Sequence, residues 1–187
     1  MHDYVKILKM EKHIEGGYFR VAYRSTDKVT PLHARYRSGS GQELSHALQR
    51  NAGSAIYYLL EKDDFAAWHR IRSDEIWHYY DGCPVNIYVI TADGKIETRV
   101  LGNPCKTPGA SFQVVLPAGC WFAADLSNQD EFALMGCTVS PGFEYYDWEL
   151  GEKAKLTAEF PKLPDFASKY FRAAPTPASL NKAQNQN

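Results

Sequence analysis

Residues 68–82 read Trp68-His69-Arg70-Ile71-Arg72-Ser73-Asp74-Glu75-Ile76-Trp77-His78-Tyr79-Tyr80-Asp81-Gly82, the densest run of aromatic and titratable side chains in the sequence. β-branched and aromatic residues dominate it, and Ser73-Asp74 and Asp81-Gly82 punctuate it, which is how consecutive strands joined by turns are written. Alternation along the second strand puts Glu75, Trp77 and Tyr79 on one face of a sheet and Ile76, His78 and Tyr80 on the other. A bulge at Ser73-Asp74 would exchange the two faces.

Similar stretches occur on both sides. Strands are predicted over Tyr18–Tyr23, Ala55–Leu60, Phe65–Ile71, Glu75–Tyr80, Val85–Thr91, Ile96–Leu101, Phe112–Leu116, Cys120–Ala124 and Phe132–Val139. Ala92-Asp93-Gly94 and Pro117-Ala118-Gly119 supply turn chemistry between them. Short strands without intervening helices imply an all-β antiparallel sandwich or barrel. Helices are predicted only around it, at Asp3–Met10, Glu43–Arg50, Lys153–Phe160 and Asp165–Phe171, with Pro161 stopping the third. Ser38-Gly39-Ser40-Gly41 reads as a mobile loop. One domain is expected over residues 1–173, followed by a tail from 174 to 187 whose Pro, Ala, Asn and Gln bury too little apolar area to order it.

Composition narrows the class. The chain has 187 residues, 44% hydrophobic and 13% aromatic, enough for one substantial core. Its 21 basic and 22 acidic side chains nearly cancel, so no field gathers nucleic acid or anionic lipid. Neither a leader nor a bilayer-length apolar run is evident, so a cytoplasmic protein is expected. Cys83, Cys105, Cys120 and Cys137 form no C-x-x-C pair and are expected to be reduced thiols.

The run at 69–82 also resembles the first motif of the cupin superfamily, H-x-H-x(3,4)-E-x(6)-G. His69, Glu75 and Gly82 match it, and Ile71 stands at the second histidine. Pro117-Ala118-Gly119-Cys120-Trp121-Phe122 resembles the second motif, P-x-G-x-x-H, with Phe122 at the ligand position. Three stretches look like the cupin family designated as a domain of unknown function, DUF985 (cupin_5): His13–Arg20, Trp68–Gly82, and Gly136–Glu144 with Asp147–Leu150. The resemblance implies a jelly-roll barrel open at one end, structurally similar to sugar-nucleotide epimerases and seed-storage cupins, and a homodimer, which the many aromatics also suit. It supplies no reaction.

In the cupin arrangement the Glu75 face points into the barrel. His69 and Glu75 then share a cavity with Trp77, Tyr79 and Phe122, an apolar pocket with a few polar groups. Burial should raise the pKa of Glu75 and lower that of His69, leaving a couple able to move protons near neutrality. With one imidazole and one carboxylate left of the usual donor set, no cofactor is expected, and a divalent metal would be held weakly by His69 and Glu75.

Tyr18, Arg20 and Tyr23 are assigned to one face of the first strand, where Arg20 either binds an anionic group of a ligand or pairs with Glu144 or Glu149. Phe143, Tyr145, Tyr146 and Trp148 either cap the pocket or pack against the barrel or a second subunit. His78 is read as outward, and His13, His33 and His46 as surface or capping residues. The reading is an isomerase or epimerase of a small polar metabolite without a firmly bound metal, in which His69 takes a proton, Tyr79 returns one and Arg20 orients the ligand. The alternatives are a non-catalytic small-molecule binding module and a weak metal-dependent enzyme using His69, Glu75 and His78.

Overall fold

The alternation read at positions 75–80 belongs to a strand that pairs on both sides. The computed structural model describes residues 3–36 and 49–176. Among them lie strands β1 (Glu11–Lys12), β2 (Tyr18–Arg24), β3 (Lys28–Val29), β4 (Arg50–Asn51), β5 (Ser54–Glu61), β6 (Phe65–Arg70), β7 (Asp74–Gly82), β8 (Val85–Ile90), β9 (Ile96–Leu101), β10 (Ala110–Ser111), β11 (Gln113–Leu116), β12 (Phe122–Leu126), β13 (Phe132–Ser140) and β14 (Glu149–Leu150). Helices α1 (Tyr4–Ile7) and α2 (Lys153–Glu159) flank them, with 3-10 turns at Ala34–Tyr36, Tyr145–Asp147 and Asp165–Tyr170. Two six-stranded sheets run β1-β2-β5-β13-β7-β11 and β10-β9-β8-β12-β6-β14, while β3 and β4 form a small ribbon. This is the jelly-roll arrangement.

Period-two patterning places the core between the sheets. Tyr58, Leu60, Trp77, Leu116 and Met135 of the first sheet meet Val85, Ile87, Val89, Phe122 and Leu126 of the second. Strand β12 is buried along its whole length, because its other face is covered as well: Trp68, Trp121 and Ala123 pack there against Leu156 of α2 and Ala167 and Tyr170 of the last 3-10 turn. Hydrogen bonds fix that cover. The Trp68 indole donates to the Ala167 carbonyl at 2.9 Å, and Asp125 accepts from the Tyr170 hydroxyl at 2.8 Å and from Lys169 at 2.9 Å.

Several boundaries differ from expectation. The first helix ends after one turn at Ile7, since Lys9 takes a positive φ of 52° and Met10 turns inward, leaving Glu11 to open β1. No irregularity occurs at Ser73-Asp74; the register of β7 against β13 runs unbroken from Asp74 to Tyr79 and shifts only beyond it. A second shift, between Val21 and Tyr23, leaves both Arg20 and Tyr23 exposed. The predicted strand at Cys120–Ala124 begins at Phe122, and Asp165–Tyr170 coils as a 3-10 turn. All four cysteines are free thiols. The expected loop at 38–41, His46 and most of the expected helix at 43–50 lie outside the described residues, as does the tail beyond Thr176; Arg50 itself stands in β4.

Candidate functional site

Several separate pieces of chain line a cavity of about 50 Å³ between the sheets. Strand β6 turns His69 inward, and the first inward residue of β7 is Glu75. The turn between β1 and β2 brings His13 and Glu15, and the segment after β13 brings Phe143, Tyr145 and Trp148. Ile56, Tyr58, Ile71 and Cys137 contribute to the wall.

The first turn is pinned from several sides. The Glu15 carbonyl accepts from the Ala67 N–H at 2.9 Å, the Gly16 carbonyl from the Tyr58 hydroxyl at 2.8 Å, and the Gly17 N–H donates to Asp64 at 2.9 Å. Arg172 holds Asp64 from the other side. Gly16 has a φ of +117°, and a Cβ there would collide with the Phe65 carbonyl, so close approach and backbone shape both demand glycine.

Glu15 is the hub of the polar groups. Its Oε2 lies 3.3 Å from His69 Nε2 and accepts from the Trp148 indole N–H at 2.9 Å. Its Oε1 lies 3.6 Å from His13 Nδ1, and the Tyr145 hydroxyl is 3.5 Å from His13 Nε2. His69 Nδ1 sits 2.7 Å from the Ala67 carbonyl. A carbonyl only accepts, so the proton is on Nδ1 and the Nε2 lone pair faces Glu15.

Burial governs the protonation states. His69 is pushed down to about 4 by desolvation, partly offset by its bond to Ala67. Glu75 is pushed up to about 8 by desolvation and by the neighbouring Glu15 carboxylate. The Cys137 thiol and the Trp77 indole pull Glu75 back slightly, although among the described residues Trp77 Nε1 reaches no partner at hydrogen-bond geometry. Burial also raises Glu15 and lowers His13. The Tyr145 phenol rises through burial and the Glu15 charge. At neutral pH Glu75 is therefore an acid with a proton to give, beside an unprotonated imidazole.

The seven residues singled out in the sequence are distributed unevenly. His69 and Glu75 line the same cavity, but the carboxylate in contact with His69 is Glu15. Phe122, 4.1 Å from the His69 ring between centroids, and Trp77, 6.0 Å from Phe122, form the apolar layer beside the cavity rather than its lining. Tyr79 shares the inward face of β7 yet sits further along the strand; its hydroxyl donates to the Gly82 carbonyl at 2.5 Å. Tyr18 and Arg20 lie outside the cavity, Tyr18 under the Lys12 ammonium at 3.8 Å and Arg20 bonded to the Leu8 carbonyl at 3.1 Å. The acids offered for Arg20 pair elsewhere, Glu144 with Arg24 and Glu149 with Arg70.

His13 is a correction. Expected at the surface or at a cap, it is buried in the cavity wall, with its ring edge-on to Phe19 at 4.8 Å. Glu15 had not been singled out. His33 does cap a turn, accepting from the Arg35 N–H at 3.1 Å. His78 faces away, 2.9 Å from the Thr138 hydroxyl and 3.1 Å from Gln113, so it does not join His69 and Glu75.

The cupin metal set does not fit these residues. The second-histidine position carries buried Ile71, and the last ligand position carries Phe122, packed on the His69 ring. Among the described residues no group of three or more His, Cys, Asp or Glu is arranged to hold an ion.

The two sheets, the inward His69 and Glu75 and the apolar substitutions at 71 and 122 define a cupin with an altered cavity. Residues 2–151 match the family model described as Cupin superfamily (DUF985), and the chain belongs to that family. It is similar to a solved protein from Shewanella oneidensis, 32% identical with a TM-score of 0.77, over 92% of this chain and 97% of that one. A hypothetical protein from Leishmania major is 27% identical with a TM-score of 0.75, over 91% of this chain and 97% of that one. A Bacillus subtilis oxalate decarboxylase mutant, 12% identical with a TM-score of 0.50 over 91% of this chain and 39% of that one, shares the fold alone. No curated protein matches the chain. No helix among the described residues is long and apolar enough to cross a membrane.

Proposed function

We propose that the protein binds a small polar metabolite at this cavity and moves a proton on it, as an isomerase or epimerase working without a tightly bound metal. The observation that carries the reading is the convergence of His69, Glu15 and Glu75 on one enclosed space, with burial holding imidazole and carboxyl near their uncharged forms. Groups poised in this way exchange protons with a substrate at little cost. A C–H bond beside a carbonyl yields its proton to the His69–Glu15 pair, and Glu75 gives its own proton to the carbonyl oxygen, forming an enol. Return of the first proton to the former carbonyl carbon, while the hydroxyl on the original α-carbon gives its proton to Glu75, completes an isomerisation; reprotonation of the α-carbon on its opposite face, with the enol proton returning to Glu75, completes an epimerisation. Glu75 thus takes the acid role first assigned to Tyr79.

The small volume favours a second reading, a binding module that grips only one end of a ligand. Ligand pockets usually span about 300–1,000 Å³, well above the cavity's 50 Å³. The same protein in heavy water with short ketoses, aldoses and keto acids separates the two. Deuterium entering the carbon next to a carbonyl, with the rate falling at least 100-fold in His69→Ala and in Glu75→Gln, is the expected result. Thermal stabilisation by a compound recovered without deuterium favours the binding module and removes the catalytic reading.

The protein is further proposed to act as a homodimer through the outer face of the first sheet, where Tyr80 and Val115 stand about half exposed on the adjacent strands β7 and β11.

A further inference from the structure

Outside the cavity rim runs a groove of about 410 Å³ bordered by Arg70, Arg72, Asp147 and Glu149, and it shares two walls, Ile71 and Trp148, with the cavity. Trp148 is the partition: its indole N–H holds Glu15 inside, while the residue also lines the groove outside.

The charges in this groove do not cancel. Arg70 is committed to Glu149 at 2.7 Å and lies over the Trp121 ring at 4.4 Å. Asp147 is paired with buried Arg50, which is set between the rings of Tyr36 and Tyr146 at 5.0 and 5.4 Å. Among the described residues Arg50 Nε and Nη1 have no hydrogen-bond partner. Among the described residues Arg72 makes no side-chain hydrogen bond; its ion-pair contact is 3.9 Å to Asp147, a carboxylate Arg50 already neutralises. Among the described residues the two carboxylates on the groove, Asp147 and Glu149, are met by Arg70 and Arg72 on the groove and by Arg50 buried behind it, so one positive charge is left over, and Arg72 is the half-exposed side chain that presents it.

The cavity has the opposite character. Among the described residues it is lined by two carboxyl groups, Glu15 and Glu75, and by no lysine or arginine. An anionic group would raise the cost of ionising either carboxyl inside, and would find a planar, bidentate partner outside. Charge alone therefore sets the direction in which a ligand enters. Size agrees, because 50 Å³ admits only one end of a metabolite. Arg72 lies three residues beyond His69 in the chain, which limits their backbone separation to about 10 Å.

We propose that the ligand is a short open-chain carbonyl compound with a carboxylate or phosphate at its far end, the carbonyl end entering the cavity and the anion resting on Arg72 in the outer groove. The assignment deepens the proton-transfer reading and rests on it for the carbonyl end; the anion subsite is tested separately by binding.

Calorimetric titration of the full chain with ribose 5-phosphate, glucuronate, ribose and glucose at low ionic strength provides the test. The expected result is that at least one charged sugar binds tenfold or more tightly than its neutral counterpart, that Arg72→Gln removes the advantage, and that Arg72→Lys keeps part of it. The stronger of the phosphate and carboxylate arms identifies the anion. Equal or absent binding of charged and neutral probes, or an advantage that survives Arg72→Gln, overturns the proposal. A charge preference without deuterium exchange sinks the proton-transfer reading and leaves the anion subsite standing. Exchange that is equally fast on neutral and charged sugars, and indifferent to Arg72→Gln, does the reverse.

Discussion

Glu75 is a carboxylic acid at a pH where exposed carboxylates are ionised, and this couples the cavity to stability. Its folded pKa is about 8 against an ordinary 4.5, so between those values the folded state binds more protons than the unfolded one and stability falls as pH rises. His69, lowered to about 4 from 6.5, acts oppositely: below 6.5 the unfolded chain takes the extra proton, and stability rises with pH up to that point. The two slopes offset each other below 6.5, and above it only the Glu75 slope remains. Between pH 6.5 and 8 the protein is expected to lose about 1 kcal/mol, a loss absent in Glu75→Gln. Denaturant melts at a series of pH values check this, and a wild-type curve flat over that interval would mean that Glu75 is ionised in the fold. His69 and Glu75 were legible in the sequence because both sit in one strand-turn-strand motif. Their contact partner was not: Glu15 meets His69 across 54 positions, a proximity created by the Gly16-Gly17 turn and the Ala67–Glu15 backbone bond. Local pattern carries no record of such a meeting, and for the same reason His13 read as an ordinary surface histidine.

At the level of elements, alternation marked the long strands well, since burial on one face imposes it directly. It failed for β1, β3, β4, β10 and β14, whose two residues each are too few to show a period. It also could not place Tyr79, which keeps the inward parity of β7 but lies where the strand has passed the cavity. Helix α2 and the 3-10 turn at Asp165–Tyr170 form a cover whose polar anchor is Asp125, 5% exposed and bonded by Tyr170, Lys169 and the Tyr88 hydroxyl. Asp125→Ala strands these donors and is expected to cost about 2–3 kcal/mol. Hydrogen exchange should then quicken in residues 153–170 before it does in β5 or β13. Uniform protection across both regions would show that apolar packing alone holds the cover.

For the whole molecule, the cupin resemblance carried the two-sheet arrangement, the end of the fold at which to look, and the loss of metal donors at positions 71 and 122. The outer groove was not legible, because Arg50, Arg70, Arg72 and Asp147 acquire a net charge only when the chain segments carrying them are brought side by side. The proposed homodimer is testable at the outer face of the first sheet. Light scattering coupled to size exclusion is expected to give a dimer for the native chain and a monomer for Val115→Glu, since a carboxylate at the centre of an apolar contact is left without solvent. A native chain that runs at its monomer mass overturns this assignment.

The cavity takes His13 and Glu15 from one end of the chain, His69 and Glu75 from the middle, and Tyr145 and Trp148 from beyond the last long strand. A polypeptide still emerging from the ribosome therefore cannot complete the wall of this cavity until residue 148 has cleared the exit tunnel and folded back. A chain cut short before Trp148 would leave Glu15 without its indole donor and the cavity without that wall, whatever fraction of its strands has formed.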